Sequence, residues 1–173
     1  MNIQRKEKGF TIIEVVLVLA IAGLIFLMVF LALPALQRNQ RDTQRKGDMS
    51  RVQTALTSYG SNNRGAVPKA DTVSLTAFES SYLAVNNDSF VDPSGVPSTG
   101  KGVSSTTPPT YVFQVGTAAT AITGKFADNQ NAIYYTPSAT CDPNDSSNTV
   151  ASTTRTVTFQ MMLEGGGVNC INN

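Results

Sequence analysis

The chemistry of this chain is concentrated near its N-terminus, around Gly9, Phe10 and Glu14. Secretory signals carry small residues at a cleavage site beyond their apolar stretch, whereas here the small residue Gly9 lies before it. Cleavage after Gly9 would keep the apolar stretch on the mature chain and give Phe10 a free, positively charged amine. Glu14 follows four residues later, about 6 Å along a helix axis. The sequence therefore predicts an ammonium and a carboxylate near the same membrane surface.

The element that must position these groups is a long apolar helix. From Phe10 to Leu33 the only polar side chains are those of Thr11 and Glu14, and such a stretch can cross a bilayer. A charge at the bilayer centre costs about 2.5–3.5 kcal/mol on insertion scales. A pair of unit charges at 4 Å gains about 4 kcal/mol at an effective dielectric of 20. Glu14 therefore gains from meeting an amine, from its own chain or from another copy; the alternative is that it snorkels to the headgroups.

These residues resemble the processing site of bacterial type IV pilins and the related pseudopilins. The motif is glycine, phenylalanine, glutamate as the fifth mature residue and an apolar helix, and here it is Gly9–Phe10–Thr11–Ile12–Ile13–Glu14. The resemblance covers roughly the first third of the chain. It implies that a prepilin peptidase cuts between Gly9 and Phe10 and methylates the Phe10 amine. It also implies that Glu14 forms an inter-subunit salt bridge with the Phe10 amine of a neighbouring copy.

The resemblance also implies partners and a location. The partners are other copies in a helical filament, the prepilin peptidase, the pilus assembly platform and motor, and membrane lipid before assembly. The precursor is expected in the cytoplasmic membrane as a single-pass protein and the mature subunit in an extracellular pilus. The segments expected are a leader (1–9), a transmembrane or fibre-core helix (10–34), an amphipathic helix continuation (35–59) and a globular head domain (60–173).

The helix has two expected bends and two different faces. Gly23 and Pro34 are the expected bend positions, because glycine and proline weaken the helical hydrogen-bond ladder. Residues 37–48 are polar all round, which indicates a solvated neck or an inter-subunit surface. A later apolar stripe should pack on the head domain, and it consists of Met49, Val52, Leu56 and Tyr59.

Three segments of the head domain have strand patterns: 110–115, 131–136 and 155–163. In the last of these, Val157 and Phe159 fall on one face and Thr158 on the other. Strands of this kind predict an antiparallel sheet with one covered face. The predicted fold class is α+β, with a long N-terminal transmembrane helix packed on a small sheet. The resemblance implies the same type IV pilin-like layout.

Charge and cysteine content describe the head domain further. Residues 35–59 carry five basic and two acidic side chains, and residues 60–173 carry five basic and eight acidic ones. This basic stem and acidic head would attract each other between stacked subunits, or both would simply be solvated. Cys141 and Cys170 would form one disulfide in an exported domain; two buried thiols are the alternative.

The sequence offers no catalytic constellation, so an enzyme is not expected. The chain has no histidine, and Gly165–Gly166–Gly167 follows a strand without the helix that a phosphate-binding loop needs. No cofactor or metal is expected; oxygen ligands in the loop 142–148 would suit calcium, but their spacing fits no defined calcium loop. The basic stem is not expected to bind nucleic acid directly.

Three functions compete at this level. The first is the major structural subunit of a type IV pilus, which polymerises through its apolar helix after leader cleavage. The second is a pseudopilin or minor pilin of a secretion or DNA-uptake filament. The third is a membrane-anchored binding domain that never polymerises, in which Glu14 pairs within its own chain.

Overall fold

The computed structural model describes residues 9–85, 88, 90–95, 110–117, 121–122 and 131–173. Residues 1–8 of the predicted leader lie outside the described residues. The chain divides into two compact units, of which the first ends at Gln37 and the second spans Arg38–Asn173.

The first helix, α1, spans Ile12–Asn62 and is continuous through Gly23 and Pro34. The bends expected at those two residues stay predictions. The helix ends three residues beyond the predicted limit, where Gly65 takes a φ of +78° and its N–H donates to the carbonyl of Gly60 at 2.7 Å. Glycine suits this position because a left-handed backbone is strained in residues that have a Cβ.

A second, short helix closes one side of the core. Helix α2 spans Thr72–Phe78, and the Asp71 side chain caps it by accepting from the Ser74 N–H at 2.7 Å. A π-helical turn, Glu79–Leu83, follows directly. Together these elements bury the side chains of Leu75, Phe78 and Leu83.

The head contains a four-stranded sheet and a two-stranded hairpin. The sheet has the order β1–β2–β5–β6, and β3 pairs with β4. The strands are β1 (Val112–Val115), β2 (Ala132–Pro137), β3 (Ala139–Cys141), β4 (Thr149–Ala151), β5 (Val157–Met162) and β6 (Val168–Asn172). Each of the three predicted strands is present, but β3, β4 and β6 were not predicted.

The sheet is mixed, which corrects the predicted antiparallel arrangement. Strand β1 runs parallel to β2, whereas β2–β5 and β5–β6 are antiparallel. Residues 116–131 separate β1 from β2, and a connection of a dozen or more residues permits the crossover that parallel pairing needs. The short connection 163–167 joins β5 and β6 as a hairpin, whereas the β3–β4 hairpin lies between β2 and β5 in the chain.

The main core lies between the second half of α1 and one face of the sheet. Met49, Val52 and Leu56 of α1 are buried in one cluster with aromatic side chains that include Phe78 and Phe159. The rings of Phe78 and Phe159 stack with centroids 6.3 Å apart. The predicted α1 stripe therefore does cover the sheet.

The other face of the sheet is covered too, which corrects the prediction of one covered face. Every residue of β5 is buried, including Thr158 and Gln160 on the polar side of the strand. The β3–β4 hairpin lies against this side, with β3 in contact with β5 and β6. A disulfide joins Cys141 of β3 to Cys170 of β6.

Candidate functional site

The residues beside the predicted cleavage point precede α1 and are open to solvent. Gly9 and Phe10 are outside regular secondary structure, and 90% of the Phe10 surface is exposed. A Cβ on Gly9 would meet no atom within 4 Å. A peptidase therefore has access to the Gly9–Phe10 peptide bond without unfolding a helix.

Glu14 is held by Thr11 in a reciprocal N-terminal cap. Its Oε2 accepts from the Thr11 N–H and from the Thr11 hydroxyl, both at 2.8 Å, and the Glu14 N–H lies 3.4 Å from that hydroxyl oxygen. This arrangement is a capping box, in which a threonine and a glutamate three residues later satisfy each other's free donors. Both side-chain bonds fall on Oε2, so Oε1 has capacity for a further donor.

Thr11 is the partner of Glu14 that the sequence-based interpretation missed. The alternatives for Glu14 were an amine or the headgroups, whereas its partner in the structure is a neighbouring hydroxyl and amide. The Thr-x-x-Glu spacing at the start of an apolar run was the available indication.

The N-terminal unit presents an uncovered apolar surface. Among the described residues, α1 is a helix that is both long enough and apolar enough to cross a membrane. Its most apolar 18-residue window has a mean hydropathy of 3.2. None of that window is buried within the protein. Phe10, Val15, Val18 and Leu19 flank Glu14 in a shallow apolar depression. Lipid or another protein must cover this surface in the cell.

Residues 4–30 match the family model described as the prokaryotic N-terminal methylation motif. The N-terminal segment therefore carries the motif that is typical of type IV pilin-like precursors. The match spans Gly9, Phe10 and Glu14, and this motif implies processing by a prepilin peptidase and pilus assembly in general terms. No curated protein and no solved structure matches the chain. The motif and the apolar helix together indicate membrane anchoring.

The head unit contains a second charged constellation, a ladder along α1. Its members are spaced three residues apart and alternate in sign: Asp42, Arg45, Asp48 and Arg51. Neighbouring members lie about one helical turn apart, so each can contact the next, whereas the whole series winds around the helix. Every member also contacts a distant segment of the head. We call this set the α1 charge ladder.

Arg45 is the most buried member of the α1 charge ladder. Its side chain has no solvent exposure, and its Nε and Nη2 donate to the two carboxylate oxygens of Asp92 at 2.7 and 2.9 Å. Its Nη1 lies 3.0 Å from Asp42 Oδ1. Burial lowers the pKa of Arg45, but its bonds to Asp92 and Asp42 outweigh this effect, and the net shift is upward. The guanidinium therefore stays charged while buried.

Asp42 fastens the β5–β6 turn to α1. Its two oxygens accept from the backbone N–H groups of Glu164 and Gly165, at 2.8 and 2.7 Å. A Cβ on Gly165 would come within 3.0 Å of Asp42 Oδ2, so a larger residue would crowd this contact. Arg41 donates to both Glu164 oxygens, at 2.7 and 2.5 Å, and this pairing lowers the pKa of Glu164. The turn that contains Gly165, Gly166 and Gly167 is thus held by side chains of α1.

The other two members of the ladder, Asp48 and Arg51, contact Tyr111 and Asp88. The Tyr111 hydroxyl donates to Asp48 at 2.9 Å, and burial raises the pKa of both Asp48 and Tyr111. Arg51 donates to Asp88 at 2.6 Å, and its guanidinium lies 5.5 Å from the centre of the Phe90 ring.

The ladder corrects one prediction about the stem. Residues 37–48 are not a solvated neck, because Asp42, Arg45 and Asp48 are buried against the head. Ion pairs between basic stem and acidic head are present within one chain, where Arg41 meets Glu164 and Arg45 meets Asp92. The inter-subunit surface and the attraction between stacked subunits stay predictions.

The other predicted sites lie in the head domain and at the N-terminus. Cys141 and Cys170 are paired, so the alternative of two buried thiols was wrong. Among the described residues, no three His, Cys, Asp or Glu side chains converge on a metal-sized site. The carboxylates of the loop 142–148 accept hydrogen bonds from within that loop. The expectation of no bound metal stays a prediction, as do the roles of Gly9, Phe10 and Glu14 in processing and assembly.

Proposed function

We propose that this chain is the major structural subunit of a type IV pilus. A prepilin peptidase removes the leader after Gly9 and methylates the Phe10 amine. The mature subunit waits in the cytoplasmic membrane, and the assembly platform and motor then transfer it into an extracellular helical filament of identical copies.

The observation that carries this proposal is the uncovered apolar helix with one charge at its start. Glu14 is the only charged side chain between Phe10 and Gln37. An apolar helix is stable in lipid and equally stable in a bundle of similar helices, so the same surface serves both states. Transfer between them costs little, provided that the charge is paired in each.

Glu14 has chemistry that suits both states. The capping box satisfies Oε2 within the chain, and Oε1 can accept from an ammonium. Cleavage creates such an ammonium at Phe10 of every processed copy. In a filament the amine of a neighbouring copy would meet Glu14 and fix the axial position of one subunit relative to the next.

The test uses cells that express the chain together with a pilus assembly system. We expect surface filaments in which mass spectrometry finds Phe10 as the N-methylated first residue. Gly9→Val should retain the leader and give no filaments. Glu14→Gln should be processed normally, because the cut precedes it, but should give few or no filaments.

A matched control is Glu79→Gln, the same change at a glutamate in the head domain, which should assemble normally. Normal filaments from both the Gly9 and the Glu14 variants would overturn the proposal. Filaments in which this chain is a trace component would instead favour a pseudopilin or minor pilin.

A non-polymerising anchored domain makes a different prediction. Ile12→Cys places a thiol beside Phe10 on the exposed face of α1. In a filament, an added bifunctional maleimide should join this thiol to the thiols of other copies. A processed protein that the reagent labels but leaves monomeric would favour the anchored domain.

A further inference from the structure

The β3–β4 hairpin is structurally separate from the main core. We call residues 138–152 the flap. Within the part of the chain that the structure describes, the buried apolar cluster under α1 draws on α1, α2, β1, β2 and β5. It contains no residue of the flap. Removing the flap from the sheet would therefore leave that cluster intact.

The flap covers a surface in which polar side chains are prominent. Beneath it, Thr158 and Gln160 project from the same side of β5 as Met162, and all three are buried. Among the described residues, the Thr158 hydroxyl has no hydrogen-bond partner. Burial of an unpaired hydroxyl is unfavourable, and opening of the flap would hydrate it. Within the flap, the buried apolar residue is Ala139, and its single methyl group adds little apolar burial that would hold the flap closed.

Among the described residues, the fastenings of the flap include one covalent bond and several neutral hydrogen bonds. The covalent bond joins Cys141 to Cys170 of β6. The Gln160 side-chain amide donates to the carbonyls of Ser146 and Asn148, at 2.9 and 3.4 Å. The flap also accepts a backbone bond from the Ile122 N–H to the Ser147 carbonyl at 2.9 Å, and donates one from the Ser138 N–H to the Thr156 carbonyl at 2.8 Å. Hydrogen bonds of this neutral kind contribute little net stability, because water replaces them on opening.

The flap has its own internal hydrogen bonds. Asp145 Oδ1 accepts from the N–H and hydroxyl of Ser147, at 2.9 and 2.6 Å. The Asp142 N–H donates to the Asn148 carbonyl at 3.2 Å, and β3 pairs with β4 in register. The flap can therefore separate from the sheet as one unit.

We propose that the Cys141–Cys170 disulfide is a redox-sensitive latch on this flap. With the bond formed, the flap stays on the polar face of the sheet. With the bond reduced, the flap opens and exposes Thr158 and Gln160, while the core under α1 stays folded. The latch controls the surface of the head domain and does not depend on whether the chain assembles into a filament.

The chemistry of closing is thiol–disulfide exchange. The two thiols of Cys141 and Cys170 react with the disulfide of a thiol oxidoreductase. One sulfur–sulfur bond forms in the chain and one breaks in the oxidoreductase, which leaves as a dithiol with the two electrons and two protons. Opening is the reverse reaction with a dithiol reductant.

The test is hydrogen–deuterium exchange on the full-length chain in detergent micelles, with and without a phosphine reductant. On reduction, amides of residues 138–152 should exchange at least about tenfold faster, whereas those of residues 45–56 and 157–162 should change less than about twofold. A Cys141→Ser/Cys170→Ser variant without reductant should reproduce the fast-exchanging pattern. Addition of reductant to this variant should change nothing further, which controls for effects of the reductant itself.

A second variant tests the remaining fastenings. Gln160→Ala removes the side-chain bonds to the flap and leaves the disulfide intact. Its flap amides should remain protected in the oxidised protein and exchange faster than those of the parent chain after reduction. Uniform deprotection of residues 38–173 on reduction would overturn the proposal, because the disulfide would then support the whole head. Unchanged flap exchange on reduction would overturn it equally.

Discussion

Arg45 shows how a single residue can hold the head domain to its helix. Its guanidinium is fully buried between Asp92 and Asp42, and the Asp92 side chain is itself fully buried. Ionic groups of this kind contribute little to net stability when paired, but removal of one partner leaves a buried charge without compensation. We therefore expect Arg45 to contribute little net stability and to determine mainly which face of α1 packs against the head.

Arg45→Ala should destabilise the head by about 3–5 kcal/mol, the cost of a broken buried ion pair. Urea unfolding of the full-length protein in micelles measures this change. Arg38→Ala is the matched control, because Arg38 is 58% exposed and lies 3.8 Å from Glu164. That change should cost less than about 1 kcal/mol. Equal losses from the two variants would contradict a special role for Arg45.

Glu79 should make the stability of the head fall between weakly acidic and neutral pH. Burial raises the pKa of Glu79 to about 7 in the folded protein, against about 4.3 in an unfolded chain. The folded state thus binds more protons in this window, so the free energy of unfolding decreases as pH rises. Because Glu79 is partly exposed, we expect an effect of about 1–2 kcal/mol, less than the full shift implies.

Unfolding titrations from pH 4 to pH 8 would test this expectation. Glu79→Gln should remove most of the slope and raise stability at pH 8. Glu164→Gln is a control of opposite sign, because pairing with Arg41 lowers the pKa of Glu164. The stability that Glu164 contributes is present above about pH 4.3 and is lost only as pH falls below that value. A slope that persists in Glu79→Gln would show that another group titrates.

At the scale of elements, α1 begins at the position that the Thr-x-x-Glu pattern indicates. Thr11 and Glu14 form the capping box, so Thr11→Val, which removes the hydroxyl, should weaken the first turn by about 1 kcal/mol. The Glu14 amide should then exchange about fivefold faster in micelles, as measured by nuclear magnetic resonance. Thr11→Ser keeps the hydroxyl and should change this rate less than about twofold. Identical rates in the two variants would mean that the box does not hold the turn.

Elements with a strong local pattern were predictable, and elements made by pairing were not. The alternation of β5 and the α1 stripe identify the core from sequence alone. The strands β3 and β6 are short, with three and five residues, and β6 exists because β5 pairs with it. The parallel pairing of β1 depends on a long crossover, which no local pattern reveals.

The α1 charge ladder was not predicted from the sequence, for a related reason. The buried stripe of α1 begins at Asp42 and Arg45 with the spacing that Met49 and Val52 continue. A periodicity that counts only apolar residues stops at Met49. The partners of Arg45 and Asp48 are Asp92 and Tyr111, which lie far away in sequence. Sequence alone could not show that these charges are neutralised inside the head.

At the scale of the whole molecule, processing changes the sign of the net charge. The chain has 13 basic and 12 acidic side chains, with a calculated isoelectric point of about 7.7. The leader contributes three basic residues, Arg5, Lys6 and Lys8, and one acidic residue, Glu7. Cleavage after Gly9 leaves ten basic and eleven acidic side chains, so the net charge changes from +1 to −1. Methylation of the Phe10 amine keeps its positive charge and does not alter this balance.

In isoelectric focusing, the mature protein should therefore stop below about pH 7, whereas the precursor should stop near its calculated isoelectric point. Isoelectric focusing of the protein from membranes, before and after exposure to a prepilin peptidase, measures the shift. Gly9→Val is the control and should stay at the precursor position under both conditions. The membrane anchor remains on the acidic product, so a shift without release from the membrane distinguishes this cut from removal of the apolar helix. A soluble product would mean that cleavage falls beyond α1's apolar half and that the leader assignment is wrong.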